Sequence, residues 1–261
     1  MRLQNKVAVI TGGASGMGRA AAELFSENGA AVVIAGRRFS EGEKVAENIR
    51  KNNKNGCVFV QTDVSNPEQT LELMVKTKES FGKIDILFNN AGINNPLDGD
   101  PHNEDIEIFE SVIDVNLKGA ILCTKYVVPY MIENGQGSII NNSSVLDSRA
   151  ANSSSTSYHV SKGGLAMLTK KSALAYAKYN IRVNTIQPGA IATEMSGINW
   201  DELTQESVIK KRSGIQPLQK MGHPYDVGYA ALYFASDESG FVTGSTLLVD
   251  GGMSAVYSPS R

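Results

Sequence analysis

No stretch of this chain stays apolar over the ~20 residues that a bilayer-spanning helix needs. The opening Met1-Arg2-Leu3-Gln4-Asn5-Lys6 runs straight into a strand-like segment without an apolar signal region. The expectation is a cytoplasmic protein with no membrane partner. Cysteine is scarce: Cys57 and Cys123 are the only two in 261 residues. Two cysteines cannot build a disulfide framework and here lack metal-ligand spacing, so both read as small apolar fillers. The three histidines, His102, His159 and His223, are scattered, and no metal site is expected. Charge of one sign is lacking as well, with 25 basic and 27 acidic residues giving a net −2. That balance offers no electrostatic footprint for nucleic acid.

What the chain does have is alternation. Val7–Ile10, Ala31–Ala35, Val58–Val60, Asp85–Phe88, Ser138–Asn142, Ile181–Ile186 and Thr246–Val249 read as strands. Helical patterns fall between them. One runs from about Ser40 to Asn53, with Ser40 as N-cap and Glu43 as its capping-box partner. Another starts at Pro67, reaches Phe81 and is stopped by Gly82. A long pattern covers about Glu104 to Ile132, with Pro129 kinking its end. Further helices cover about 156–179 and Pro224 to Ser236. Parallel strands need crossovers, so this order predicts an α/β fold: one doubly wound parallel sheet with helices on both faces, in a single domain over 1–261.

Two stretches carry chemistry. Thr11-Gly12-Gly13-Ala14-Ser15-Gly16-Met17-Gly18 joins a strand to a helix. Glycines there let backbone approach a diphosphate, and the helix N-terminus offers free N–H groups. The bland alternative is a generic tight turn. Tyr158 and Lys162 lie four apart, on one face of a helix. A nearby ammonium stabilises a phenolate and pulls its pKa from about 10 toward the neutral range. Ser144, at the end of a preceding strand, could fix a carbonyl or alcohol oxygen beside the phenol. Tyr and Lys at this spacing also occur as a solvated pair.

The Gly-x-x-x-Gly-x-Gly spacing, together with Tyr158-x-x-x-Lys162, resembles the short-chain dehydrogenase/reductase family. So do Asn89-Asn90-Ala91-Gly92, Asn116 within a helix, the pair Ser143-Ser144 and Pro188-Gly189-Ala190-Ile191-Ala192-Thr193. The resemblance spans the chain and implies a Rossmann-type fold. It also implies hydride transfer between NAD(P)(H) and a secondary alcohol or ketone, without metal. Tyr158 would be the general acid/base, and Lys162 would tune it and bind the nicotinamide ribose. Ser144, the second of the Ser-Ser pair, would orient the substrate oxygen, with Ser143 as the other candidate; the spacing from Ser144 to Tyr158 is one residue longer than usual, as an insertion in that loop would give. Asn116 would complete a water-mediated proton route.

By the same resemblance, Gly12, Ser15, Gly16, Met17 and Gly18 would face the diphosphate, and Asp63 and Val64 the adenine. Asn90, Ala91 and Gly92 would line the cofactor, and Pro188, Gly189, Ile191 and Thr193 would hold the nicotinamide amide. Residues 194–215, with Trp200, would form a substrate lid. Where the family places an NAD-selecting aspartate this chain has Gly36, followed by Arg37 and Arg38. Guanidinium groups suit a 2′-phosphate, so NADP(H) is favoured, with NAD(H) the alternative if Glu41 or Glu43 neutralises the patch.

Family members usually assemble as homotetramers through the two long helices and the last strand. Asn94, Asn95, Leu146, Asp147, Asn152 and Ala190 would neighbour the substrate, a polar set that favours a hydroxylated one. His159 and Arg182 read as structural, the latter as an ion-pair partner, and Asp147 with Arg149 as a surface contact. The other functions weighed are a carrier-linked 3-ketoacyl reductase, docking on Lys210-Lys211-Arg212, and a non-catalytic dinucleotide sensor.

Overall fold

The structure is a computed structural model and describes residues 1–95, 97, 99–151, 155–204 and 216–256. The apolar runs become β1 (Val7–Thr11), β2 (Ala31–Gly36), β3 (Cys57–Gln61), β4 (Ile86–Asn89), β5 (Gly137–Asn142), β6 (Ile181–Pro188) and β7 (Thr246–Val249). β1 is buried along its whole length, as a strand covered on both faces must be. The seven strands form one sheet in the order β3-β2-β1-β4-β5-β6-β7, with every neighbouring pair parallel. The chain starts in the middle, winds outward to β3, then returns to lay β4 against the other side of β1. At that reversal a crevice opens beyond the strands' C-terminal ends, between the turn after β1 and the segment after β4.

Helices cover both faces, as expected. α1 (Gly16–Glu27), α2 (Phe39–Asn52) and α7 (Pro224–Ala235) pack on one side, where Phe25, Ile49 and Phe234 join Ile10 and Ile34 in the core. α3 (Pro67–Phe81), α5 (Gly119–Glu133) and α6 (Thr156–Tyr176) pack on the other, where Leu73, Met131 and Ala173 meet Val9 and Leu87. Burial pushes both thiols, Cys57 and Cys123, up to about 12, which leaves them inert as nucleophiles. Among the described residues no group of His, Cys, Asp or Glu could hold a metal ion, and no helix is long and apolar enough to cross a membrane.

Two local expectations change. α2 begins at Phe39 with Arg38 as N-cap and no side-chain cap bond, so Ser40 lies inside the helix; Glu43 pairs with Arg50 at 2.6 Å instead of closing a capping box. The single pattern over 104–132 divides into α4 (Ile106–Ile113), a π turn (Asp114–Lys118) and α5. α5 carries Pro129 inside it and runs to Glu133, one residue past the expected Ile132. The Pro67 start, capped by Asn66, and the left-handed Gly82 stop match the sequence.

A buried polar rail ties the sheet to α6. Asn89 donates to Asn141 at 2.9 Å, and Asn141 donates to Thr169 at 2.8 Å. The hydroxyls of Thr169 and Thr185 lie 2.5 Å apart. This rail fixes the helix that carries Tyr158 against the strand that leads to Ser144. Asn141→Ala leaves the Asn89 amide in the core with only its long bond to Thr124 at 3.4 Å, and losing the better partner of a buried donor costs up to about 1–3 kcal/mol. The expected result is a lower denaturant midpoint with an unchanged slope; an unchanged midpoint would show that the rail adds nothing to stability.

Candidate functional site

The turn after β1 is shaped by what it excludes. Gly12 has φ +64, and a Cβ there would sit 3.0 Å from the Ala91 Cα. A Cβ on Gly18 would come within 2.3 Å of the Gly12 carbonyl oxygen. Only glycine permits this approach of backbone to backbone. The Thr11 hydroxyl accepts from the Asn90 and Ala91 amides, both at 3.0 Å. The Asn90 side chain donates to the Thr11 and Gly12 carbonyls at 3.0 and 3.2 Å and accepts from Asn142 at 2.9 Å. The glycine turn, the β4 end and the β5 end are thereby one rigid rim.

A groove of about 390 Å³ runs along that rim. Gly12, Ser15, Gly16 and Met17 line it from the turn, Asp63 and Val64 from the end of β3, and Asn90, Ala91 and Gly92 from the end of β4. Arg37, Arg38 and Thr193 border it too. Gly18 is not in the lining; it lies under the turn, packed on Gly12. Gly189 packs on the turn after β7, its amide bonded to the Val249 carbonyl at 3.0 Å, and Ile191 puts its side chain into the core. Pro188 closes β6. One Asp63 oxygen is held by the Ser65 amide and hydroxyl at 3.0 and 2.7 Å. This narrow, glycine-floored groove opening on a helix start suits a dinucleotide diphosphate.

At the inner end of the groove sits the polar cluster. Lys162 is only 4% exposed, and its Nζ donates to the Asn142 carbonyl at 2.8 Å. The ammonium lies 5.4 Å from the centroid of the Tyr158 ring. Burial lowers the Lys162 pKa to about 8, against a smaller upward pull from the Asp147 charge. The Tyr158 hydroxyl hydrogen-bonds with Ser144, which draws its pKa down, yet burial pushes the phenol up on balance. The sequence led us to expect a lowered phenol; desolvation outweighs the stabilising neighbours here. Gly92 joins the groove to the cluster: a Cβ there would stand 3.4 Å from Asn116 Oδ1 and 3.7 Å from Lys162 Nζ, both ordinary contact distances.

Ser144 is thus the serine bonded to Tyr158, whereas the Ser143 hydroxyl donates to the Lys162 carbonyl at 3.2 Å. Asn116 accepts from the Ile93 amide at 2.7 Å, and its Nδ2 donates to the Ile93 carbonyl at 2.9 Å and to Ser161 Oγ at 3.1 Å. Ser161 in turn donates to the Tyr158 carbonyl at 2.8 Å. Sequence reasoning missed Asn142 and Ser161 as the anchors of this cluster. The available signal was the polar pair Asn141-Asn142 ending an otherwise buried strand.

Neighbouring groups fall outside the cluster. His159 braces the loop before α6, with Nδ1 2.7 Å from the Ser155 carbonyl and Nε2 accepting from the Ala151 amide at 3.2 Å. Asp147 and Arg149 do not pair: Arg149 reaches the Ser254 carbonyl and Asp147 is gripped by Gln187. Arg182 donates to the Phe234 and Ser236 carbonyls at 2.9 and 3.2 Å rather than to a carboxylate. Asn94 accepts from Ser155 at 3.0 Å, and Asn95 from the Leu97 amide at 3.0 Å. Of the expected lid, the single turns Glu194–Ser196 and Trp200–Thr204 are described. Trp200 rests on the Arg19 guanidinium of α1 at 4.2 Å, and Glu194 pairs with Arg38 at 3.2 Å. Asn152, Lys210, Lys211 and Arg212 lie outside the described residues.

The resemblance can be weighed against known proteins. A family model described as "Enoyl-(Acyl carrier protein) reductase" matches residues 12–254. An uncharacterized oxidoreductase, YxbG, of Bacillus subtilis is 40% identical over 264 residues, covering 100% of this chain and 95% of that protein. Glucose 1-dehydrogenase 2 of the same organism is 38% identical over 252 residues, covering 96% and 95% respectively. A crystal structure described as a short-chain dehydrogenase/reductase from Burkholderia xenovorans superposes with a TM-score of 0.89 at 34% identity, covering 98% of this chain and 99% of that one. With the sheet order, the glycine-floored groove and the Tyr158–Lys162 cluster, these matches lead to one conclusion: the chain belongs to the short-chain dehydrogenase/reductase family of oxidoreductases.

Proposed function

We propose that the protein moves a hydride between a nicotinamide dinucleotide and a secondary alcohol or ketone, with Tyr158 as general acid/base. The observation that carries this reading is the Tyr158 hydroxyl on Ser144, with the buried Lys162 ammonium 5.4 Å from its ring. When bound, the nicotinamide carries the hydride. The Gly12–Met17 turn would hold the diphosphate, Asp63 and Val64 the adenine side, and Asn90, Ala91 and Gly92 the middle of the dinucleotide. Pro188, Gly189, Ile191 and Thr193 would hold the amide end.

The protein's own residues handle the proton. Burial keeps the Tyr158 phenol protonated in the resting protein, poised to donate to a ketone oxygen. Ser144 orients that oxygen and stabilises the charge that develops on it. The Lys162 ammonium holds the phenolate that remains, and Asn116 completes the route by which the proton is restored. A sensor without catalysis would have no need to keep all these groups joined. Tyr158→Phe is expected to lower kcat by ~10³ or more while dinucleotide binding survives. Near-normal turnover by that variant would remove Tyr158 from the mechanism.

For the cofactor, we infer NADP(H). Gly36 supplies no carboxylate at the end of β2, and among the described residues Arg37 at the groove edge makes no ion pair. A free guanidinium there matches a 2′-phosphate in charge and geometry. NAD(H) is the second reading, because Arg38 is already engaged by Glu41 at 2.8 Å and by Glu194. We expect kcat/KM to favour NADP over NAD, and Arg37→Ala to erase that preference. Preference for NAD in the wild type, or no loss with NADP in the variant, would overturn the inference.

The substrate's carrier status follows a different cue. The family model's description names an acyl carrier protein, which keeps a carrier-linked 3-ketoacyl substrate as the second reading of activity. The assembly we infer is a homotetramer. Met167 and Leu174 on α6 are 62% and 82% exposed, and Leu248 on the edge strand β7 is 49% exposed. Apolar side chains on long helices and on an open sheet edge call for a covering partner. Light scattering at micromolar protein should give the tetramer's mass; the monomer's mass would refute this.

A further inference from the structure

Asparagine followed by glycine occurs three times, at Asn28-Gly29, Asn55-Gly56 and Asn134-Gly135. Each pair sits where the chain leaves a helix and turns back toward a strand, after α1, α2 and α5. This dipeptide is open to intramolecular attack, because glycine carries no Cβ to hinder its own amide nitrogen. That nitrogen can add to the side-chain carbonyl carbon of the preceding asparagine. Three identical dipeptides in one molecule leave the surrounding structure to decide which of them reacts.

Two of the three are tied down at both reacting groups. The Gly29 amide donates to the Ser26 carbonyl at 3.0 Å, and the Asn28 side chain to the Leu24 carbonyl at 2.9 Å. The Gly135 amide donates to the Ile132 carbonyl at 3.0 Å, and the Asn134 side chain to the Ile84 carbonyl at 2.8 Å. Asn55-Gly56 differs. Among the described residues nothing accepts a hydrogen bond from the Gly56 amide. The Asn55 side chain has one longer bond, 3.2 Å to the Ser26 carbonyl at the end of α1. Both residues are half-buried, so water reaches them.

The fold keeps the glycine in place. Gly56 has φ +91, and a Cβ there would stand 2.9 Å from the Phe81 ring, so a side chain is excluded on both counts. The Gly56 carbonyl accepts from the Val32 amide at 3.1 Å, just before β3 begins its pairing with β2. The labile dipeptide is thus built into the entry of an edge strand.

We propose that Asn55 is a site of spontaneous deamidation, and the one of the three at which this protein ages. The Gly56 nitrogen gives up its proton and bonds to Asn55 Cγ; the Cγ–Nδ2 bond breaks and ammonia leaves. Water then opens the five-membered imide. Opening at Cγ restores the backbone with aspartate at position 55, and opening at the other carbonyl routes the chain through the side chain as isoaspartate. Nothing is oxidised or reduced. In the first product a carboxylate replaces the amide that donated to the Ser26 carbonyl, so attraction turns to repulsion. In the second a methylene is added to the main chain directly before β3. Either product loosens the tie between α1 and β3. The site lies at the N-terminal end of its strand, whereas the groove lies beyond the C-terminal ends. Stability is therefore lost and dinucleotide binding is spared.

The test incubates the full chain in warm, mildly alkaline buffer and follows its peptides by mass spectrometry. The peptide carrying Asn55 should convert to its acid forms roughly 3- to 10-fold faster than those carrying Asn28 or Asn134, the factor set by one further hydrogen bond to open. Asn55→Asp, which is one of the two products, should lower the denaturant midpoint while its folded fraction binds dinucleotide as the wild type does. Asn55→Gln, whose longer side chain closes a ring far less readily, should hold its midpoint through the incubation. Equal conversion at the three sites, or slower conversion at Asn55 than at either other, would overturn the proposal. So would an Asn55→Asp chain as stable as the wild type, or an Asn55→Gln chain that loses its midpoint as fast as the wild type.

Discussion

An ammonium group held almost entirely out of water is the constraint from which the rest of the site follows. Desolvation works against the charge on Lys162, and among the described residues the Asn142 carbonyl is the direct hydrogen-bond partner that answers it. That carbonyl must therefore be placed accurately. It sits at the end of β5, and the same residue's side chain braces Asn90, which braces the glycine turn. A shift in any one of these strand ends would be felt at the lysine. The groove and the Tyr158–Lys162 cluster are consequently one mechanical unit.

The parallel sheet makes such a unit possible. In the order β3-β2-β1-β4-β5-β6-β7, all C-terminal ends lie along one edge. Residues distant in the chain, Gly12, Asp63, Asn90, Ser144 and Pro188, all arrive there without long loops. Strength comes from elsewhere, from two apolar cores beneath the helices on either face. The edge itself can then afford polar side chains, because the layers behind it are closed.

Much of this was legible in the sequence. Seven apolar runs alternating with helical patterns dictate a doubly wound sheet, and the glycine spacing places backbone where a side chain would collide. Tyr158, Lys162 and Ser144 were readable because four residues on a helix and a strand end have fixed geometry. Less legible was anything set by burial. The direction of the Tyr158 shift depends on solvent exclusion by segments remote in sequence, so a local cation was a poor guide to it. The Asp147–Arg149 pair failed for a similar reason: two charges two residues apart found better partners across the fold, in Gln187 and the Ser254 carbonyl. The start of α2 was misplaced because Ser40 has the chemistry of a cap, whereas the chain enters the helix two residues earlier.

The π turn between α4 and α5 has a consequence best put as phase. The Gly119 amide bonds back to the Asp114 carbonyl, five residues earlier, so one residue more than an α-helix would use is wound into that turn. Each residue of an α-helix advances about 100° around its axis. The bulge therefore lets two faces be set independently along what is otherwise one rod. α4 is clocked to lie against α6, while α5 is clocked to turn Cys123, Val127 and Met131 into the core. Asn116 occupies the slipped turn itself, pointing inward to Ile93 and Ser161. In this sense the helix is a gear with one extra tooth, and the tooth is where the asparagine meshes with the site.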